Sequence, residues 1–133
     1  MERKPIDLFD RVAGTPQQVQ EAIVTGADVN RRDQNGMTPL MWASTANTNP
    51  EVVSLLLAAG ADLEAQDNYG FTSLMLAVEF NQNPAVIVAL LESGADVKAK
   101  DKGGRTALYY AQKRPFLHGT LAFQELKNKS TSS

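Results

Sequence analysis

The 133-residue chain contains no cysteine and a single histidine. Without a thiol there is no disulfide framework, no thiolate metal site and no cysteine nucleophile. His118 stands between Arg-Pro-Phe and Gly-Thr with no Ser-His-Asp pattern beside it, and reads as an ordinary loop residue. Long apolar runs are missing as well. The N-terminal MERKPIDLFD carries charges at positions 2, 3, 4, 7 and 10, has no apolar core of a signal peptide, and no stretch approaches membrane-spanning length. A cytoplasmic protein that does not enter a membrane is expected.

Positive charge is absent from the whole middle, since no Lys or Arg occurs between Arg32 and Lys98. Segments 1–32, 33–97 and 98–133 carry net charges of 0, −8 and +6, hidden within a total of −2. Such separation sets up a field that can steer a charged partner, within a screening length of about 8 Å at physiological salt. The acidic middle argues against a chain that tracks a nucleic-acid phosphate backbone. With 43% hydrophobic and 21% charged residues, the composition is that of one soluble globular domain.

What the chain has in quantity is a repeat. Aligned without a gap, residues 33–66 and 67–100 share 16 identities in 34 positions. A period of this length signals a stacked array in which each unit covers the apolar face of the next. Each unit divides into four pieces. DQNG (33–36), DNYG (67–70) and DKGG (101–104) are hairpin-like turns, with Asp accepting local amide bonds and Gly supplying a positive φ. Thr38, Thr72 and Thr106 are N-caps of a short inner helix, Pro39 taking the first helical position in one unit. Leu40, Ala43, Leu74, Ala77, Leu108 and Ala111 fall on one side of that helix. A second helix opens at Asn49-Pro50, Asn83-Pro84 and Thr15-Pro16, where Gln18 completes a capping box with Thr15. Val52, Val53, Leu56 and Leu57 recur on it at helical spacing, and Gly26, Gly60 and Gly94 follow as left-handed C-caps before an Ala-Asp step.

Turn, TPL, VVSLLL and GAD in this order resemble the ankyrin repeat, over nearly the whole chain. The resemblance implies an all-α fold, an ankyrin-repeat solenoid of stacked helix-turn-helix units with hairpin-like turns. Its expected division is an N-terminal partial or capping repeat (4–32), two full repeats (33–66 and 67–100), a C-terminal capping repeat (101–128) and a tail (129–133) within the solvated NKSTSS. Two departures from the family pattern stand out. Met41, Met75 and Tyr109 occupy the place where the family has a hydrogen-bonded histidine, so apolar packing is expected there. The full units also exceed the usual family period by one residue, around NTNP and NQNP, read as a longer loop at the edge of the array with no effect on stacking.

No catalytic constellation emerges, and no cofactor is expected. Asp33, Asp67 and Asp101 sit one unit apart, roughly 10 Å at helix-packing distance, too far to share an ion bound at about 2.3–2.6 Å. KDKGGR (100–105) has glycines and cations that can cradle a phosphate, but no P-loop pattern, and the same slot holds plain turns elsewhere. Trp42 and Tyr110 share a helical position with Leu76 and read as core.

The family architecture implies a concave surface built from the turns and the exposed ends of the inner helices. In this chain those positions are Arg32, Gln34, Asn35, Met37, Thr45 and Ala46; Gln66, Asn68, Tyr69, Phe71, Glu79 and Phe80; and Lys100, Lys102, Arg105, Lys113 and Arg114. Tyr69, Phe71 and Phe80 suit interface anchors beside a basic end. The expected function is that of a non-enzymatic, monomeric module that binds a partly acidic protein or peptide. Alternatives are mutual packing of Phe71 and Phe80 in place of anchoring, a small-ligand or phosphate-anion site on the basic C-terminal repeat, and a self-associating scaffold.

Overall fold

The computed structural model describes residues 7–131, which form seven α-helices and two 3₁₀ turns. The helices are α1 (Pro16–Val24), α2 (Pro39–Ala46), α3 (Pro50–Ala58), α4 (Ser73–Phe80), α5 (Pro84–Glu92), α6 (Ala107–Gln112) and α7 (Leu121–Thr131); the 3₁₀ turns are Leu8–Asp10 and Pro115–Leu117. An inner row α2, α4, α6 packs on an outer row α1, α3, α5, α7, each member touching the next in its row. This is the all-α solenoid expected. At its N-terminal end the 3₁₀ turn packs on α1 and α2, in the place of an inner helix. Residues 4–6 of the expected N-terminal repeat lie outside the described residues.

The helices begin where the sequence provides caps. Thr38 and Thr72 accept from the amides of Met41 and Met75, Asn49 and Asn83 from those of Glu51 and Ala85, and Thr15 pairs reciprocally with Gln18. Thr106 occupies the cap of α6 but makes no side-chain cap bond. One apolar core runs through all units: Val19, Val52, Val53, Leu56, Leu74, Val86, Ile87, Leu90, Leu117 and Leu126 are at most 2% exposed. Full burial of such a side chain contributes about 1.5–3 kcal/mol, and because most of these contacts cross between units, no unit can form that core alone. Met41 and Met75 are buried at the family's histidine position, while Tyr109 is half-buried there.

The loop between the two helices of each unit does more than bridge them, which corrects its reading as neutral to stacking. The Asn47 amide donates to the carbonyls of Val12 and Gly14, and Asn81, one unit on, donates to those of Ser44 and Asn47 at 2.8 and 2.9 Å. Both asparagines are buried, and their Oδ1 atoms accept from the amides of Asn49 and Asn83. In the third unit the same register holds Pro115; the Arg114 guanidinium takes over, donating to Val78 at 2.9 Å. A second ladder joins the turns. Arg32 donates to the carbonyls of Gly36 and Gln66, and Gln66 in turn to those of Gly70 and Lys100. Backbone bonds from Asn68 to Asn35 and from Lys102 to Tyr69 add a rung at each turn tip.

The expected tail begins on the last helix. Residues 128–131 are helical, continuing α7 to Thr131, whose hydroxyl donates to the Lys127 and Asn128 carbonyls, with Asn128, Lys129 and Thr131 exposed; residues 132–133 of the expected tail lie outside the described residues. α7 nevertheless has the composition of a cap, with Gln124, Lys127, Asn128 and Lys129 exposed and Ala122 and Leu126 buried against the array.

Candidate interaction surface

The turns place their side chains through one repeated device. In each turn a single Asp oxygen accepts two amides: Asp33 from Asn35 and Met37, Asp67 from Tyr69 and Phe71, Asp101 from Gly103 and Arg105. The other oxygen of Asp33 accepts from the Trp42 indole at 2.8 Å, and that of Asp101 from the Tyr110 hydroxyl. Burial alone would raise these two carboxyls, but their hydrogen bonds outweigh it and hold both below the ordinary carboxylate range. In the middle unit the corresponding residue is Leu76, a hydrocarbon buried with Met37, Met41 and Ala65.

Of the residues expected on this face, Gln34, Asn35, Tyr69, Glu79, Phe80, Lys100, Lys102, Arg105 and Lys113 are exposed. Met37 is not: it is 7% exposed and belongs to the small core beneath the turns, because the Asp33 turn folds it inward next to Leu76. Phe71 is half-buried, its ring meeting Tyr110 edge-on at 5.6 Å and Tyr69 at 6.4 Å. It braces Tyr69 from behind. The structure therefore pairs Phe71 with Tyr110 and Tyr69 rather than with Phe80, which is 51% exposed. Arg32, Gln66 and Asn68 lie at the surface but direct polar atoms to neighbouring units, and the Thr45 hydroxyl bonds the Met41 carbonyl of its own helix.

Trp42 also departs from its core reading, at 38% exposed, whereas Tyr110 and Leu76 are buried as expected. Trp42 lines a cleft of about 400 Å³ with Phe9, Val12, Ala13, Asp33 and Ala46. Beside it, among the described residues, stands only the Leu8–Asp10 turn, so no inner helix covers the indole. Position alone could not separate Trp42 from Leu76; what differs is the neighbouring element, a 3₁₀ turn in place of an inner helix among the described residues.

A second cleft, of about 290 Å³, lies between α4 and α6, lined by Glu79, Arg105, Tyr109, Tyr110, Lys113 and Arg114. Four of these residues were expected on the face; the two tyrosines were not. The Arg105 guanidinium and the Lys113 ammonium both lie over the Tyr109 ring, 5.2 and 4.6 Å from its centre. Hydrogen bonding to Lys113 holds the Tyr109 phenol below its usual value, against the opposing effect of burial. Neither Arg105 nor Lys113 makes an ion pair among the described residues. Arg114 is tied to Val78 and stacks on Phe116 at 4.9 Å.

The KDKGGR turn offers no free amide cradle at its centre, because Asp101 already accepts the Gly103 and Arg105 amides. Among the described residues no group of three or more acidic or histidine side chains could hold a metal ion, and no helix is long and apolar enough to cross a membrane. His118 faces the Gln112 carbonyl at 3.1 Å and packs on Phe123. The family model for ankyrin repeats, in three copies, matches residues 11–101. No curated protein matches the chain.

Proposed function

The chain belongs to the ankyrin-repeat family, and from that premise we propose that it is a non-enzymatic interaction module. It holds a partner protein or peptide on the concave face of turns and inner helices. Ankyrin repeats are generally protein–protein interaction modules. The observation that carries the reading for this chain is the pairing of exposed aromatics with exposed cations on one face. Tyr69 and Phe80 are 66% and 51% exposed in the middle unit, and Arg105 and Lys113 flank the adjoining cleft. Exposed aromatics rimmed by charge favour a protein contact, and the cations favour a partly acidic one.

The test is affinity capture from a lysate of the organism of origin with the wild-type chain and with Tyr69→Ser/Phe80→Ser. Phe71 is left intact because it packs on the core. A protein retained by the wild type and lost by a variant of unchanged helix content supports the reading. Retention of the same proteins by both forms overturns the assignment to this face.

A further inference from the structure

The two clefts are the same place in the repeat, two units apart. Trp42 and Ala46 of the first correspond, by two steps of 34 residues, to Tyr110 and Arg114 of the second. Between them the middle unit fills that place with Leu76, 4% exposed, and stands Phe80 up as a ridge. The chemistry of the two ends is opposed. The first cleft is walled by Phe9, Val12, Ala13 and the indole face, the second by two cations held on an aromatic ring. Asp33 borders the apolar cleft and repels an acidic side chain there, while at the other end Arg105, Lys113 and Arg114 outnumber Glu79 and the Asp101 carboxylate near Arg105 by one and attract it.

Resting on the interaction reading above, we infer that the face reads an extended peptide segment at two fixed points. A bulky apolar side chain packs on Trp42, and a carboxylate is held by Arg105 and Lys113. Helices stack at about 8–10 Å, so two units separate the points by about 16–20 Å. An extended chain rises about 3.3 Å per residue, which sets the apolar and acidic residues roughly five or six positions apart. Among the described residues neither cation is locked in a close ion pair, although Arg105 feels the Asp101 carboxylate at longer range, and both exchange water for the ligand carboxylate beside an aromatic ring.

The experiment is selection from a phage-displayed library of random twelve-residue peptides, against the wild-type chain and against Arg105→Glu/Lys113→Glu. Both side chains are exposed, and circular dichroism verifies that the variant folds. Wild-type binders are expected to share a bulky apolar residue and an Asp or Glu at the stated spacing. The reversed variant is expected to keep the apolar residue and exchange the acid for Lys or Arg. Moving the acid three positions along a selected peptide should weaken binding about tenfold, and the bound peptide should shift the emission of Trp42, the sole tryptophan. Binders without fixed spacing, or with a charge preference unmoved by the reversal, overturn the two-point inference while leaving the interaction reading intact. No enrichment from the library overturns the two-point inference, and the capture experiment above then decides the interaction reading separately.

Discussion

Replacing Asn81 by alanine removes three hydrogen bonds at a side chain that is 1% exposed. Its amide group donates to the Ser44 and Asn47 carbonyls across the unit boundary, and its Oδ1 accepts from Asn83 at 2.8 Å. A typical hydrogen bond contributes about 0.5–1.5 kcal/mol net, and a buried group left without a partner costs about 1–3 kcal/mol. Water reaching the small hole left behind would restore part of this, so the expected loss is about 3 kcal/mol. Against a total of about 5–15 kcal/mol for a domain, that is a large fraction. Urea unfolding followed by circular dichroism measures it. Because the lost bonds join neighbouring units, the transition should also broaden as the array loses cooperativity. Asn81→Asp keeps the acceptor for Asn83 but brings a carboxylate against two carbonyls, and should cost at least as much as alanine. A loss below about 1 kcal/mol for Asn81→Ala, or an Asp variant as stable as the wild type, would refute the role given to this ladder.

Gly60 and Gly70 both have positive φ, at 99° and 83°, but only Gly70 faces a close neighbour: an added Cβ would lie 2.7 Å from the Lys102 amide. Alanine at Gly60 should therefore cost about 1–2 kcal/mol from backbone conformation alone, and alanine at Gly70 distinctly more, read as the difference between their urea midpoints. Tyr110→Phe removes the hydroxyl from Asp101 and should cost about 1–2 kcal/mol, with the Asp101 carboxyl rising toward its ordinary value in an NMR titration. The Asp33 and Asp101 carboxyls titrate below their unfolded value of about 3.9, so their stabilisation is complete above that pH and is lost as the pH falls through the folded values. Thermal melts from pH 6 to pH 2 should show a steeper acid decline for the wild type than for Asp33→Asn/Asp101→Asn; parallel curves would refute the assignment.

The architecture was readable because it is written in local chemistry and written repeatedly. Thr-Pro and Asn-Pro fix helix starts, Gly fixes helix ends, and the 34-residue period aligns one unit with the next, so an error at one position is corrected at its equivalents. The surface was readable only in part. Exposure at Met37 and Trp42 depends on what the adjoining unit provides: Leu76 stands beside Met37, but among the described residues a 3₁₀ turn in place of an inner helix stands beside Trp42. The asparagines of the inter-helix loops looked like loop residues because their acceptors, such as Ser44 for Asn81, lie 37 positions away. The pairing of Asp33 with Trp42 and of Asp101 with Tyr110 spans nine residues and is visible in the sequence once the turn geometry is known.

The middle unit, 67–100, takes part in both ladders as giver and receiver. Its Asn81 donates back to Ser44 and Asn47 and its Val78 carbonyl accepts from Arg114 of the following unit, while its Gly70 and Lys100 carbonyls accept from Gln66 of the preceding one. It is thus a repeatable link in the loop ladder. A tandem duplication of its 34 codons would repeat the Asn81 contact at the new boundary, with Val78 in the register of Ser44, but would put the Lys100 ammonium where Gln66 now donates, with Arg114 still closing the series. Such an event would leave both terminal units untouched while lengthening the array by one step, and so would retune the span of what it grips without changing a single contacting residue.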